Sequence, residues 1–189
     1  MNINILIVGV GGQGTLLASR ILGSFAHMEG KECKLSEVHG MSQRGGSVVT
    51  HVRIGDRVFS PLVSEGEADI VLAFEKLEAL RWRHYLKKDG LLIVNDQEIM
   101  PMPVIIGKQD YPENLSERIK AAAGKSVLLN AYKIAVSVGQ PKAANVVLVG
   151  SLFKEMGISP EEGLKALEAE VKPRFLEDNK KAFAKGYGQ

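Results

Sequence analysis

A single cysteine, Cys33, stands in 189 residues. One thiol can close no intrachain disulfide and supply no cysteine metal cage. Charge of one sign is also missing: 24 Lys and Arg face 22 Asp and Glu, interspersed, for a net charge of +2. Without a basic block there is no footprint for a polyanion, so nucleic acid is not an expected partner. No apolar run approaches the roughly 18–20 residues that span a bilayer, so no membrane partner is expected. The first residues carry neither a basic leader nor a cleavage site, and glycines break the early apolar run. The expectation is a cytoplasmic protein. The histidines show no ligand spacing with carboxylates or thiols, so no metal site is expected. Neither a Ser-His-Asp nor a Cys-His arrangement is legible, nor a carboxylate pair with separable acid and base roles. No residue is assigned a catalytic role.

What is present is an ordinary globular composition, 45% apolar and 24% charged, in a length that fits one domain over residues 1–189. Ile3 to Val8 is a short β-branched run expected to form a buried strand. Leu16, Leu17, Ile21, Leu22 and Phe25 fall at helical spacing and predict a helix from Gly14 to about Met28. Cys33–Val38 can form a second strand. Ser47–Ile54 alternates as a strand with unlike faces, and Gly55-Asp56 predicts a turn into Arg57–Ser60 as a hairpin partner. Ala68–Phe74 and Leu91–Val94 read as further buried strands, with a helix over Glu75–Leu86 and a turn at Asp89-Gly90 between them. Residues 100–112 carry three prolines and admit at most a short strand at Val104–Ile106. A helix over Asn114–Ala123, a strand at Val127–Leu129 and a helix over Asn130–Val138 follow. Beyond Pro141 the chain is helical. Ser159-Pro160-Glu161-Glu162 carries the cap, first-turn proline and first-turn acids of a helix start, and Pro173 opens the last helix. Alternating strands and helices predict an α/β fold: Rossmann-like, with a mainly parallel sheet, a hairpin insertion and a helical C-terminal third.

Two glycine clusters stand out. Gly9, Gly11 and Gly14 satisfy G-x-G-x-x-G between a strand and a helix. In that context Gly9 permits a tight turn, Gly11 lets a ligand approach the backbone and Gly14 lets helix pack on strand. The free amides of Gly11, Gly12, Gln13 and Gly14 are candidate donors to an anion. The opposing reading is that the glycines serve packing alone. A dinucleotide site needs an acid after the second strand, and Glu37 is the one nearby candidate. The second cluster runs from His39 to Gly46. Arg44 offers a planar fork for phosphate or carboxylate. Ser42 and Gln43 add hydrogen-bonding groups, and Gly45 and Gly46 allow close approach of the backbone. A surface turn with Arg44 paired to a glutamate explains the same residues. Glu75, at the end of a core strand, is either near a ligand or a helix-start charge. Cys33 is expected to pack as a small apolar group.

Ile7-Val8-Gly9-Val10-Gly11-Gly12-Gln13-Gly14 and Ser36-Glu37-Val38-His39-Gly40-Met41-Ser42-Gln43-Arg44-Gly45-Gly46, taken in order with Ala143–Gly150 and Asn179–Tyr187, resemble the gamma-type domain of the 2-oxoacid:ferredoxin oxidoreductases. The resemblance covers nearly the whole chain, and the Glu37–Gly46 wording is nearest to the indolepyruvate branch. It implies a subunit of an enzyme that oxidatively decarboxylates a 2-oxoacid, here indolepyruvate or another arylpyruvate, to an acyl-CoA while ferredoxin takes the electrons. It implies thiamine diphosphate, magnesium and iron–sulfur clusters on a large (alpha) partner subunit, ferredoxin reached through that subunit, and coenzyme A as co-substrate. One cysteine cannot hold a four-cysteine cluster, so the chain alone is expected to bind none of these cofactors and to be inactive. A hetero-oligomer is implied, with a homodimer as the alternative for the isolated chain. Gly9, Gly11, Gly12, Gln13, Gly14, Ser42, Gln43, Arg44, Gly45 and Gly46 become the expected substrate- or cofactor-binding residues, with Arg44 on a carboxylate or a coenzyme A phosphate. The competing use of the same loop is the subunit interface. A free-standing nucleotide-binding regulator and an NAD-dependent dehydrogenase are the alternatives from other classes.

Overall fold

The computed structural model describes residues 2–40 and 45–189. In chain order the elements are β1 (Ile3–Val10), α1 (Thr15–Met28), β2 (Glu32–His39), β3 (Ser47–Gly55), β4 (Ala68–Ala73), α2 (Lys76–Trp82), β5 (Leu86–Asn95), α3 (Met102–Ile105), α4 (Leu115–Ala122), β6 (Lys125–Leu129), α5 (Ala131–Ser137), α6 (Ala144–Glu155), α7 (Pro160–Glu170) and α8 (Pro173–Tyr187). The six strands form one sheet in the order β2-β3-β1-β4-β5-β6. β1, β4, β5 and β6 pair in parallel, while β3 runs antiparallel to both β1 and β2. The expected α/β class and mainly parallel sheet are observed.

Burial on two sides explains the strand composition. Ile5, Leu6, Ile7 and Val8 are all fully buried. Ile5 and Ile7 face a core shared with α1, α5, α6, α7 and α8, including Phe25, Phe153 and Phe183. Leu6 and Val8 face the opposite layer, with Ala79 of α2 and Ile119 of α4. A strand covered on both faces has no solvent side to make polar, so the run is continuously apolar. β1 sends its helix to one face and β4 sends α2 to the other. The neighbouring C-terminal ends of β1 and β4 therefore form a switch point, the crevice where sheets of this kind take ligands.

Four local expectations are corrected. Arg57–Ser60 is not the hairpin partner of β3; the hairpin is β2–β3. A strand has two edges, and those of β3 are already taken by β1 and β2. The chain after Gly55 is instead held by side chains: Val58 N donates to Glu32 Oε2 (2.7 Å), and Arg53 Nη1 donates to the Ser60 and Leu62 carbonyls. Val104–Ile106 is not a strand but the end of α3, where Pro101 and Pro103 occupy cap and first-turn positions that need no amide. The helix after Glu75 stops at Trp82, and a 3-10 turn over Arg83–Tyr85 leads straight into β5. Asp89-Gly90 lies inside that strand, at a register break between Ala68–Leu86 and Ile70–Leu91.

α6 and α8 cross at two glycines. A Cβ on Gly186 would strike the Val147 carbonyl, and one on Gly150 would strike the Phe183 carbonyl and lie 2.8 Å from Tyr187 N. Alanine is otherwise the better helix former by about 1 kcal/mol, so contact and propensity oppose each other here. Gly186→Ala is expected to destabilise the fold by about 1–3 kcal/mol, the usual range for overpacking, read as a lowered urea midpoint at unchanged m-value. His51 supplies a pH prediction. Its ring is buried in β3, Nδ1 accepts from Val63 N (3.1 Å), and Tyr85 packs edge-on against it. Burial pushes its pKa below the ordinary 6.5. The unfolded chain therefore binds the proton more readily, so this contribution to stability is complete above pH 6.5 and is lost as pH falls below it. Urea midpoints should fall from pH 7.5 to pH 5.5, and His51→Gln should flatten that slope.

Candidate functional site at the glycine turn

The turn after β1 is built from backbone that side-chain-bearing residues rarely adopt: Gly12 has φ 101° and Gly14, which caps α1, has φ 85°. The motif glycines serve purposes other than those expected. Gly9 is still within β1, and a Cβ there would lie 2.9 Å from both Gln13 Oε1 and Phe74 Cβ. Gly14 makes room not for the strand but for α6, since its Cβ would collide with Asn145 Nδ2. The structure brings the two glycine clusters together. Gly11 N donates to Gly46 O (2.9 Å) and Gly45 N to Gly11 O (3.5 Å), which continues the β1–β3 ladder past its last pair, Val10 and Ser47. The amide of Gly11 is thus used, and that of Gln13 donates to Val10 O (3.1 Å). Two of the four expected anion donors are engaged; the amides of Gly12 and Gly14 have no acceptor among the described residues. Ser42, Gln43 and Arg44 lie outside the described residues.

Gln13 is a brace. Its Oε1 accepts from Val10 N (2.7 Å), and its Nε2 donates to Phe74 O (3.0 Å) and Gln97 Oε1 (3.2 Å). Asn95 extends the network: Nδ2 donates to Phe74 O and Gln97 Oε1, while Oδ1 accepts from Ala131 N (3.0 Å). One carboxamide thereby ties the ends of β1 and β4 to the segment after β5. It occupies the switch point itself.

A cleft opens on each side of Gly12. The first, about 420 Å³, is lined by Gly11, Gly12, Gly14, Thr15, Glu37 and His39. Glu37, the candidate ribose acid, does reach it, at the end of β2. Its Oε2 accepts from Thr50 Oγ1 (3.2 Å), and His39 Nδ1 lies 3.2 Å from Gly40 O. Two features count against a dinucleotide. β3 is inserted between β1 and β2, which moves Glu37 one strand spacing, about 4.8 Å, further from the turn than in a sheet where they adjoin. The Gly11 amide, which would approach a pyrophosphate, is already bonded. The second cleft, about 410 Å³, lies at the C-terminal ends of β1, β4 and β5 and includes Phe74, Gln97, Tyr132, Lys142 and Asn145. Glu37 puts a carboxylate in the first cleft; Lys142 is the charged side chain lining the second. An anion is favoured on the Lys142 side.

Sequence reasoning missed Lys142, Tyr132 and Gln97. A signal was there for Lys142: it sits at the entry to α6, whose first turn has no acid, although cations are disfavoured at that helix end. Glu75 is structural. It caps α2 by accepting from Glu78 N (2.9 Å), and its Oε1 accepts from Ile99 N and Tyr111 Oη (3.1 Å each). Burial pushes its carboxyl above the ordinary value, against the pull of those donors. Burial also raises the Cys33 thiol to about 11, which keeps it protonated and unreactive. Among the described residues, no three His, Cys, Asp or Glu side chains are grouped as for a metal ion. With one cysteine in the chain, the donor set does not fit an iron–sulfur cluster. Gln13→Ala should destabilise the protein by about 1–3 kcal/mol, because a part-buried Val10 amide loses its acceptor; thermal melting at neutral pH measures it. Gln13→Glu should not restore stability, since it removes the Nε2 donor and sets a charge against two oxygens.

Residues 4–189 match the family described as pyruvate ferredoxin/flavodoxin oxidoreductase. The chain is 43% identical to indolepyruvate oxidoreductase subunit IorB of Pyrococcus horikoshii, covering 97% of this chain and 93% of that one. It is 41% identical to the subunit of the same name from Archaeoglobus fulgidus, covering 100% and 96%. Among solved structures it resembles the gamma subunit of the keto/oxoacid ferredoxin oxidoreductase of Geobacter sulfurreducens, at 28% identity and a TM-score of 0.73 over 98% of this chain and 96% of that one. The chain belongs to the pyruvate ferredoxin/flavodoxin oxidoreductase family.

Proposed function

We propose that this chain is the cluster-free small subunit of a 2-oxoacid:ferredoxin oxidoreductase that acts on indolepyruvate or a related arylpyruvate. The observation that carries this reading is the 41–43% identity, over nearly the full length of both partners, to indolepyruvate oxidoreductase subunits of three archaea. The overall reaction joins a 2-oxoacid and coenzyme A, releases carbon dioxide, forms an acyl-CoA thioester and passes two electrons to ferredoxin. Thiamine diphosphate, magnesium and iron–sulfur clusters belong to a large partner subunit in this reading, because this chain lacks the ligands for a cluster. A fold like this one also occurs as about a third of a longer polypeptide: the 2-oxoglutarate:ferredoxin oxidoreductase of Magnetococcus marinus matches over 99% of this chain and 30% of its own, with a TM-score of 0.72. At 16% identity that match speaks for fold alone.

This chain's own residues contribute a rigid wall. The Gln13 brace fixes the glycine turn, and the pairing of Gly11 with Gly45 and Gly46 fixes those two residues beside it. Arg44 is proposed to hold a carboxylate or a coenzyme A phosphate within the assembled enzyme. No described helix is long and apolar enough to cross a membrane; a cytoplasmic location is part of this proposal. The nucleotide-binding regulator and the dehydrogenase are disfavoured by the engaged Gly11 amide and the displaced Glu37.

Co-expression with the large subunit, followed by viologen reduction with a panel of 2-oxoacids, tests the reading. Arylpyruvate- and coenzyme A-dependent reduction should need both chains. Reduction by this chain alone, or by the large subunit alone at an unchanged rate, overturns it. Arg44→Ala should lower turnover of the assembled complex by about tenfold or more, the effect expected when a charged hydrogen bond worth about 1.5–3 kcal/mol is lost. If Arg44→Ala instead weakens association and leaves activity per complex intact, the loop is the subunit interface.

A further inference from the structure

We propose that the crevice between Gln97, Tyr132 and Lys142 is a binding site for a small aromatic monocarboxylate. Its volume, about 410 Å³, is in the range of small-molecule sites. It opens at the C-terminal ends of the parallel strands, beside the switch point, on the opposite side of Gly12 from Glu37.

The lining selects the ligand by three features. The first is charge. Lys142 is the charged side chain among the residues that line the crevice, and it takes part in no ion pair among the described residues. The nearby acids Asp96 and Glu98 are instead turned to Lys76, at 2.8 and 2.7 Å. One ammonium balances a single negative charge. The second is donor supply. The Gln97 carboxamide oxygen is held by Gln13 and Asn95, which leaves its Nε2 as a donor without an acceptor among the described residues. Tyr132 Oη is likewise without a partner there. With the Gly11 and Gln13 amides engaged, the turn lacks the row of backbone donors that cradles a phosphate. A carboxylate, which needs two or three donors and one cation, matches better than a phosphate dianion. The third is an apolar wall. Phe74, Pro141 and Leu148 line the crevice with Tyr132, whose side chain is 54% exposed. An aromatic ring with an unsatisfied face gains most from a second ring laid against it.

Arylpyruvates and arylacetates are such compounds. The proposed function therefore supplies a source for the ligand, but binding is measured without turnover, so the two can fail separately. Neither Lys142 nor Tyr132 is buried, which allows both to be changed with the fold intact, as equal melting temperatures would verify.

Isothermal titration of the full chain, and of its complex with the large subunit without coenzyme A, uses phenylpyruvate and indole-3-acetate as probes. Indole, acetate and AMP are the comparisons. Both aryl acids should bind, with indole and acetate each weaker by about tenfold or more, since each lacks one of the two recognised parts. Lys142→Ala should weaken the aryl acids by about tenfold, the loss of one charged hydrogen bond, while Lys142→Arg should largely preserve binding and Tyr132→Ala should erode the preference for a ring. The proposal is overturned if neither aryl acid binds either sample, if Lys142→Ala binds as the wild type does, or if AMP binds more tightly than both acids. Loss of viologen reduction with aryl-acid binding intact would instead remove the proposed function and leave this site standing.

Discussion

The side chain of Gln13 is the contact on which the site depends. The ends of β1, β4 and β5 meet here and bring the Val10 amide, the Phe74 carbonyl and, just beyond β5, the Gln97 side-chain oxygen. Gln13 serves them from a single carboxamide: its oxygen takes the Val10 amide, and its nitrogen serves Phe74 O and Gln97 Oε1. A carboxamide is suited to this because it is both donor and acceptor and carries no charge to desolvate. A carboxylate would repel two of these partners, and an apolar chain would leave the Val10 amide unserved and Phe74 O and Gln97 Oε1 with Asn95 Nδ2 alone. Gly9 belongs to the same arrangement, since the space a Cβ would fill is taken by Gln13 and Phe74. The glycine motif and the glutamine are one packing unit.

That unit changes what the turn can do. In a dinucleotide-binding turn the backbone is left open for a pyrophosphate. Here the Gly11 amide continues the sheet into Gly46, and the carboxamide fills the crevice where the strand connections diverge. Inserting β3 against β1 is what allows this, because an antiparallel neighbour can extend its ladder into the turn. The result is a turn that keeps the spacing of a nucleotide fingerprint and uses it as a rigid joint. The polar surface left over lies to either side, negative toward Glu37 and positive toward Lys142.

This arrangement is consistent with a chain that works as one part of a larger oxidoreductase. It has a single cysteine with a protonated thiol, and its buried acids are spent on structure. Glu75 caps α2 and holds Ile99 and Tyr111, while Glu78 accepts from Ser47, Trp82 and Arg81. What the chain offers a partner or ligand is shape and a few well-fixed donors rather than reactive groups.

Much of the architecture could be read from the residues because it rests on local rules. A continuous apolar run means a strand buried on both faces, as in β1. A Ser-Pro-Glu-Glu start means a capped helix, and α7 indeed begins with Ser159 and Glu162 each satisfying the other's backbone amide. The order of blocks along the chain was enough to point to the family. Strand pairing was not legible, because it joins residues far apart: the choice of β2 over Arg57–Ser60 as the neighbour of β3 depends on which edges remain open once β1 is in place. The site was legible in part. Both glycine clusters stand out in the residue order, but of the four amides from Gly11 to Gly14 two are engaged, that of Gln13 by nearby Val10 and that of Gly11 by Gly46, which only folding brings close. Tyr132 has nothing along the chain that sets it apart, and the acid-free helix entry beside Lys142 does not by itself make a site; the two become one by standing across a crevice from Gln97 and Phe74. Residue order thus determined the class of fold, the helix starts and the poverty of redox ligands, since these follow from composition and from contacts within a few residues. Tertiary structure alone decided which donors remain available and where charge faces a cleft, because a hydrogen-bonding group is used or free only with respect to what lies beside it in space.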